Sequence, residues 1–295
     1  MPNLKDIKRR IVTVQKTQQI TSAMRMVAAS KLRRATEAIQ AARPYADRMR
    51  QTLAEVAAAQ TDAAHPLLEA RDQVRSLALV VITSDRGLAG GFNSNVLKRA
   101  EAFLAEREPD LDKISLITLG RKATEYFKRR RPSDIVASHE LPGWTTYETA
   151  AGIARDLSER YATGEVDEVV LVFSELVSTM TQTPIAACLM PLSAGAQNAS
   201  DSKDSTGSEK LAHTIEPSPE HVLALLAPMA IEVEVFRALL ENQAGEHAAR
   251  MTAMESATRN TEELIEQLTL DFNRARQAAI TSELVEIVTG AQALE

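Results

Sequence analysis

Aromatic residues make up only 4% of this 295-residue chain, and there are just 11 glycines and 11 prolines. A large globular core normally draws on aromatics, so their scarcity turns attention to long helices. There is one cysteine, Cys188, which excludes an internal disulfide and suits a reducing compartment. Met1-Pro2-Asn3-Leu4-Lys5-Asp6 has no apolar core of the kind a signal peptide needs. No apolar run approaches the ~20 residues that would span a bilayer, so any membrane association is expected to run through a partner. Paired cysteines, H-E-x-x-H and G-x-S-x-G are missing as well, and the five histidines are scattered. Nothing assembles a metal site, a cofactor site or a catalytic constellation, and the chain is read as a non-enzyme.

What is present is charge in two blocks and apolar residues in two seams. The net charge of −6 argues against nucleic-acid binding, yet residues 1–34 carry nine basic side chains and one acid. Residues 216–295 carry fourteen acids and five arginines. Long helices of opposite charge attract one another. Residues 1–60 hold one heptad frame: Leu4, Ile7, Ile11, Val14, Gln18, Thr21, Arg25, Ala28, Leu32, Ala35, Ile39, Ala42, Ala46, Met49, Leu53, Val56. At 1.5 Å per residue this is roughly 80 Å of helix. A second frame starts at Leu240 and passes through Ala244, His247, Met251, Met254, Thr258, Thr261, Ile265, Leu268, Phe272, Ala275 and Ala279. A period of 3.5 lets helices wind around each other, so the two termini are expected to form one antiparallel coiled coil.

Two stretches break the pattern. Around Gln18, Thr21 and Arg25 the apolar residues move over to Ile20, Met24 and Val27. That shift fits either a rotated buried face or an apolar patch shown to another protein. Beyond Ala279, the residues Ile280, Leu284, Val285, Ile287, Val288 and Ala291 no longer form a stripe. They spread around most of the circumference, as an axle end in an apolar socket would require; a frayed terminus is the plainer alternative.

Between the helices, residues 72–193 alternate strands and helices. Leu77–Thr83, Ile114–Leu119, Asp134–Ser138 and Glu168–Phe173 read as parallel strands, with Ile185–Met190 as an antiparallel edge. Helices are expected at Asn95–Arg107, Arg121–Arg130 and Thr146–Tyr161. The fold class is therefore α/β, a Rossmann-like domain inserted into a terminal coiled coil. Residues 194–216 form a polar linker, and its 194–212 portion reads as a mobile loop. In the C-terminal segment, 217–295, Ser218-Pro219-Glu220 begins a helix that Pro228 is expected to break. The turn Ser84-Asp85-Arg86-Gly87-Leu88-Ala89-Gly90-Gly91-Phe92-Asn93 stands where a Rossmann fold binds phosphate. Its glycines match no phosphate-binding spacing, and the packing-turn reading is preferred over nucleotide binding. Lys128-Arg129-Arg130-Arg131 reads as a solvated helix end rather than a nucleic-acid patch.

Three motifs, in order, carry a resemblance. Ile20-Thr21-Ser22-Ala23-Met24-Arg25-Met26-Val27-Ala28-Ala29-Ser30-Lys31-Leu32, the Ser84–Asn93 turn, and Glu246–Met251 with Asn273–Ala291 resemble the signatures of the gamma subunit of F-type ATP synthases. The resemblance implies a central rotor shaft without an active site or cofactor, carrying torque from a proton-driven c-ring to catalytic beta subunits. It implies alpha and beta subunits, epsilon and the c-ring as partners, with delta a further candidate. It places the chain peripherally on the cytoplasmic face of a bacterial inner membrane rather than in a mitochondrion or chloroplast. Carried over residue by residue, it implies contacts with the alpha/beta ring at Met24, Arg25, Arg276, Gln277, Thr281, Leu284, Ile287 and Val288. The seam residues are Ile7, Ile11, Leu32, Ile39, Met251, Met254, Ile265, Leu268 and Phe272. Ala89 stands where many relatives have Cys, and Arg25 where an acid is common. A nucleotide-binding α/β enzyme with helical appendages, and a coiled-coil scaffold, are the alternative readings.

Overall fold

The computed structural model describes residues 4–59, 65–141, 143–192, 216 and 218–292. The 194–212 segment lies outside the described residues. The order of elements is α1 (Leu4–Ala59), β1 (Ser76–Ile82), α2 (Phe92–Arg107), a 3-10 turn at Glu108–Asp110, β2 (Lys113–Leu119) and α3 (Arg121–Arg130). After these come β3 (Ile135–His139), α4 (Tyr147–Ala162), β4 (Glu168–Leu176), β5 (Gln182–Met190) and α5 (Pro219–Gln292). The contacts divide into two units. One holds 1–30 with 250–295, the other 31–249.

In the larger unit the sheet order is β3-β2-β1-β4-β5. β1 pairs in parallel with β2 and β4, and β2 with β3, while β5 returns antiparallel to β4. The apolar run of β1 is continuous because both its faces are covered; Leu77 through Ile82 are all buried. On one face Leu77, Leu79, Val81, Leu116 and Val172 pack with Val96, Leu97, Ala100 and Leu104 of α2 and with Ala123 and Phe127 of α3. On the other face Ala78, Val80, Ile82, Leu171 and Phe173 join Ile153, Ala154 and Leu157 of α4. Met49, Leu53 and Val56 of α1 and Leu223, Ala227, Ile231, Val235 and Leu239 of α5 complete that core. The terminal helices thus form a structural layer of the α/β domain.

The edges of the domain are tied by short polar contacts. Asp167, just before β4, accepts from Arg75 N at 3.0 Å, Ser76 N at 2.8 Å and Ser76 Oγ at 2.7 Å. Gly120 has φ +93°, and a Cβ there would stand 2.4 Å from the carbonyl oxygen of Thr83, so no other residue fits. Glu232 of α5 accepts from Tyr147 Oη at 2.7 Å and Arg155 Nε at 3.1 Å, which fastens α4 to α5.

Pro228 does not break the helix, contrary to the sequence expectation. α5 runs unbroken from Pro219, where Ser218 Oγ accepts from His221 N. An interior proline loses one backbone bond and costs about 3 kcal/mol or more. Here the freed carbonyl belongs to Ala224, an exposed residue, while Ala227, Ala230 and Ile231 are buried. Solvent can serve the carbonyl, and packing holds the turn. Pro44 sits in an unbroken α1 for the same reason, being exposed together with Gln40.

In the smaller unit α1 and α5 run antiparallel. Gln18 Nε2 donates to Glu262 Oε1 at 3.1 Å, and the hydroxyls of Thr21 and Thr258 meet at 2.9 Å. Position increases along one helix as it decreases along the other.

Candidate functional site

Three places can be examined for function: the turn after β1, the polar break in the α1 frame, and the end of α5. The turn is held by its own side chains. Ser84 N donates to Asn93 Oδ1 at 3.0 Å, and Ser84 Oγ donates to the Arg86 carbonyl at 2.7 Å. Asp85 accepts from Arg121 N at 2.8 Å and Thr83 Oγ1 from Ala123 N at 2.8 Å, so amides of the first turn of α3 are already bonded. Within the turn, Ser84 N is engaged by Asn93 and Phe92 N donates to the Ala89 carbonyl at 3.2 Å, as in a packing turn. Among the described residues, no group of three or more His, Cys, Asp or Glu could hold a metal ion. Cys188 is half-buried, and burial pushes its thiol up to about 11, which leaves little thiolate at neutral pH.

At the polar break the buried face does not rotate. Thr21 and Ala28 remain buried in the original frame, while Ile20 and Val27 are 59% and 57% exposed. Met26 is 61% exposed and Met24 is half-buried. The reading as an outward apolar patch fits these exposures, and the rotated-face reading does not. Beside the patch lies an open groove of about 530 Å³ lined by Gln18, Ser22, Arg25, Glu255, Arg259 and Glu262. It is open and carries both signs of charge, unlike the enclosed apolar pocket of a small-molecule site.

At the end of α5 the register explains the exposure. α1 begins fourteen residues before Gln18, so its start falls opposite a point fourteen residues after Glu262, at Arg276. Phe272 and Ala275 are still half-buried there. Past Ala279 every described side chain is exposed, including Ile280, Leu284, Val285, Ile287 and Val288, each at 50% or more. Ala291 is outside the described side chains.

The family model described as ATP synthase matches residues 3–294. A gamma chain of ATP synthase from Desulforamulus reducens is 49% identical over 296 residues, covering 100% of both chains. The chain belongs to the ATP synthase gamma-chain family. Another gamma chain, from Anaeromyxobacter sp. strain K, is 48% identical over 301 residues, again covering 100% of both. Among solved structures, the chain resembles one in the Euglena gracilis mitochondrial ATP synthase, in an assembly titled OSCP/F1/c-ring. That likeness has a TM-score of 0.67 at 18% identity and covers 99% of this chain and 94% of that one. A Tetrahymena thermophila chain from a structure titled central stalk/c-ring gives 0.60 at 24% identity, covering 81% and 99%. At those identities the structures speak for the shared fold: an α/β sheet with long terminal helices.

Against this family background the positions picked from the sequence fall into two sets. Arg276, Gln277, Thr281, Leu284, Ile287 and Val288 are exposed on α5, and Arg25 and Met24 are half-buried on α1. Of the seam residues, Ile7, Met254 and Leu268 are buried, at 8%, 5% and 8% exposure. Ile11, Leu32, Ile39, Met251, Ile265 and Phe272 are half-buried. Sequence reasoning missed a third set, Glu232, Asn242 and Gln243, which are buried polar residues of α5. Their clue was a cluster of polar side chains within the Val-, Leu- and Ala-rich stretch 230–248 of α5.

Proposed function

We infer that this chain is the central-stalk subunit of an F-type ATP synthase. It carries torque between a proton-driven c-ring and the catalytic beta subunits, in either direction. The observation that carries the reading is the bare apolar sleeve of α5 from Ile280 to Val288, past the point opposite the start of α1. Such a surface belongs inside a surround, and membership in the gamma-chain family supports the ring of alpha and beta subunits as that surround. An apolar end against an apolar collar suits rotation, because burial and dispersion are non-directional and change little as the contact turns.

In this account the chain performs no chemistry itself. Met24 and Arg25 on α1, with Arg276, Gln277, Thr281, Leu284, Ile287 and Val288 on α5, face the alpha/beta ring. The α/β domain meets epsilon and the c-ring. No helix among the described residues is long and apolar enough to cross a membrane. In this account the association with the membrane, at its cytoplasmic face, runs through the complex.

The test is a pull-down of the tagged chain from membranes, followed by an ATPase assay. The account expects two large nucleotide-binding subunits to co-purify with ATPase activity that the isolated chain lacks. ADP or NAD binding by the isolated chain, abolished by substitution at Gly90 or Gly91, would contradict it and favour an enzyme. Met24→Lys is expected to lower ATP synthesis in the reconstituted complex, since it adds a cation beside Arg25; unchanged synthesis would remove Met24 from the interface.

A further inference from the structure

From Ala238 to Gly245, eight consecutive residues of α5 are buried. At 100° per residue they cover the whole circumference, so the helix is enclosed on every side at this level. Apolar enclosure resists turning and sliding through interdigitated packing, and hydrogen bonds with defined geometry fix the helix angle more sharply. Directional contacts are present. Glu232 holds Tyr147 and Arg155 of α4. Gln243 Nε2 donates to the Gly143 carbonyl at 3.4 Å, and Asn242 Oδ1 accepts from Ser174 N on β4 at 3.4 Å.

Gly245 adds a steric key. A Cβ there would stand 3.1 Å from Phe92 Cε2 and 3.6 Å from both Ser174 O and Ser174 Oγ. A mid-helix glycine costs roughly 1 kcal/mol relative to alanine, and the close approach of α2 and β4 accounts for its presence. By helical geometry Glu232 and Gln243 share one face, with Asn242 and Gly245 turned progressively away. Together they span about 160° of the circumference. The helix cannot turn about its axis without losing all four contacts.

We propose that this keyed segment is the joint through which torque passes between the α/β domain and the C-terminal helix, with Glu232, Asn242 and Gly245 as its positioning residues. The proposal rests on the central-stalk reading. It requires the joint to stay fixed while the rotor works: releasing it uncouples, and a substitution that keeps its hydrogen bonds does not.

Both arms use the whole complex reconstituted in vesicles, with ATP hydrolysis and proton pumping measured together. The release variant combines Glu232→Ala and Asn242→Ala. It is expected to keep hydrolysis within about twofold of the parent while pumping per ATP falls by about fivefold or more. The conservative variant is Glu232→Gln, whose amide oxygen can still accept from Tyr147 Oη, and it is expected to pump at the native ratio. A release variant that pumps at the native ratio overturns the joint. So does a Glu232→Gln complex that assembles and loses pumping as far as the release variant, because the hydrogen bond would then not be what matters. If the release variant does not assemble, Glu232→Ala alone is compared with Glu232→Gln, and equal pumping ratios overturn the joint. A native complex that neither assembles nor pumps would instead overturn the central-stalk reading itself.

Discussion

Asp167 and Glu241 show how one carboxylate can steady this fold and another can burden it. For Asp167, burial pulls the carboxyl upward, but the hydrogen bonds from Ser76 and Arg75 outweigh it and hold the carboxyl below its ordinary value. A depressed folded value means stability that is present above the unfolded value and lost as pH falls through the folded one. Asp167→Ala is expected to cost about 2 kcal/mol at pH 7, with the gap to the parent narrowing in urea melts taken at progressively lower acidic pH. Glu241 is the reverse. Burial pushes its carboxyl up, Arg237 opposes this, and Glu175 adds to the rise. One oxygen accepts from Arg237 Nη1 at 3.2 Å, and the other has no partner. Its stabilising contribution is full below the unfolded value and is lost as pH rises through the raised folded value. Glu241→Gln is expected to gain in melting temperature relative to the parent as pH climbs from acid to neutral; a constant offset across that range would refute the assignment.

At the scale of elements, the two seams and most of the α/β alternation were legible because each follows a period that burial enforces. The heptad frame of α1 coincides with its buried and half-buried positions from Leu4 to Val56, even across the polar gap. The gap survives in the seam because Thr21 and Thr258 bond to each other. Replacing either alone with valine is expected to cost about 1 kcal/mol, while the pair together is expected to be nearly neutral. A thermal-melt double-mutant cycle measures this, and additive losses would mean the two hydroxyls are not coupled. Pro228 was misread because propensity treats proline as a stop, whereas packing of Ala227, Ala230 and Ile231 overrides it. Strand β4 continues three residues past its expected end, where it pairs with β5 rather than with a further parallel strand. The roles of Glu232, Asn242 and Gly245 were not legible, because each depends on a partner 68 or more positions away along the chain or, for Gly245, on the nearness of Phe92. No local period records such a contact.

For the molecule as a whole, the end of α5 is where stability and function separate. Leu284 is 56% exposed and Ile287 67% exposed, so neither supports the isolated chain. Leu284→Asp with Ile287→Asp is expected to leave the melting of the isolated chain within about 0.5 kcal/mol of the parent. The same pair is expected to reduce the yield of the assembled complex, since the charges would enter an apolar surround. Equal yields of complex would mean that the sleeve is not enclosed.

The central claim, that this chain turns inside a ring while catalysis happens elsewhere, is tested most directly by watching it turn. A bead attached through Arg129→Cys, at an exposed position of α3, can be followed on surface-held complex while ATP is supplied. The account predicts continuous rotation in one direction that starts with ATP and stops when ATP is removed. A bead that stays still while the same complexes hydrolyse ATP would contradict it.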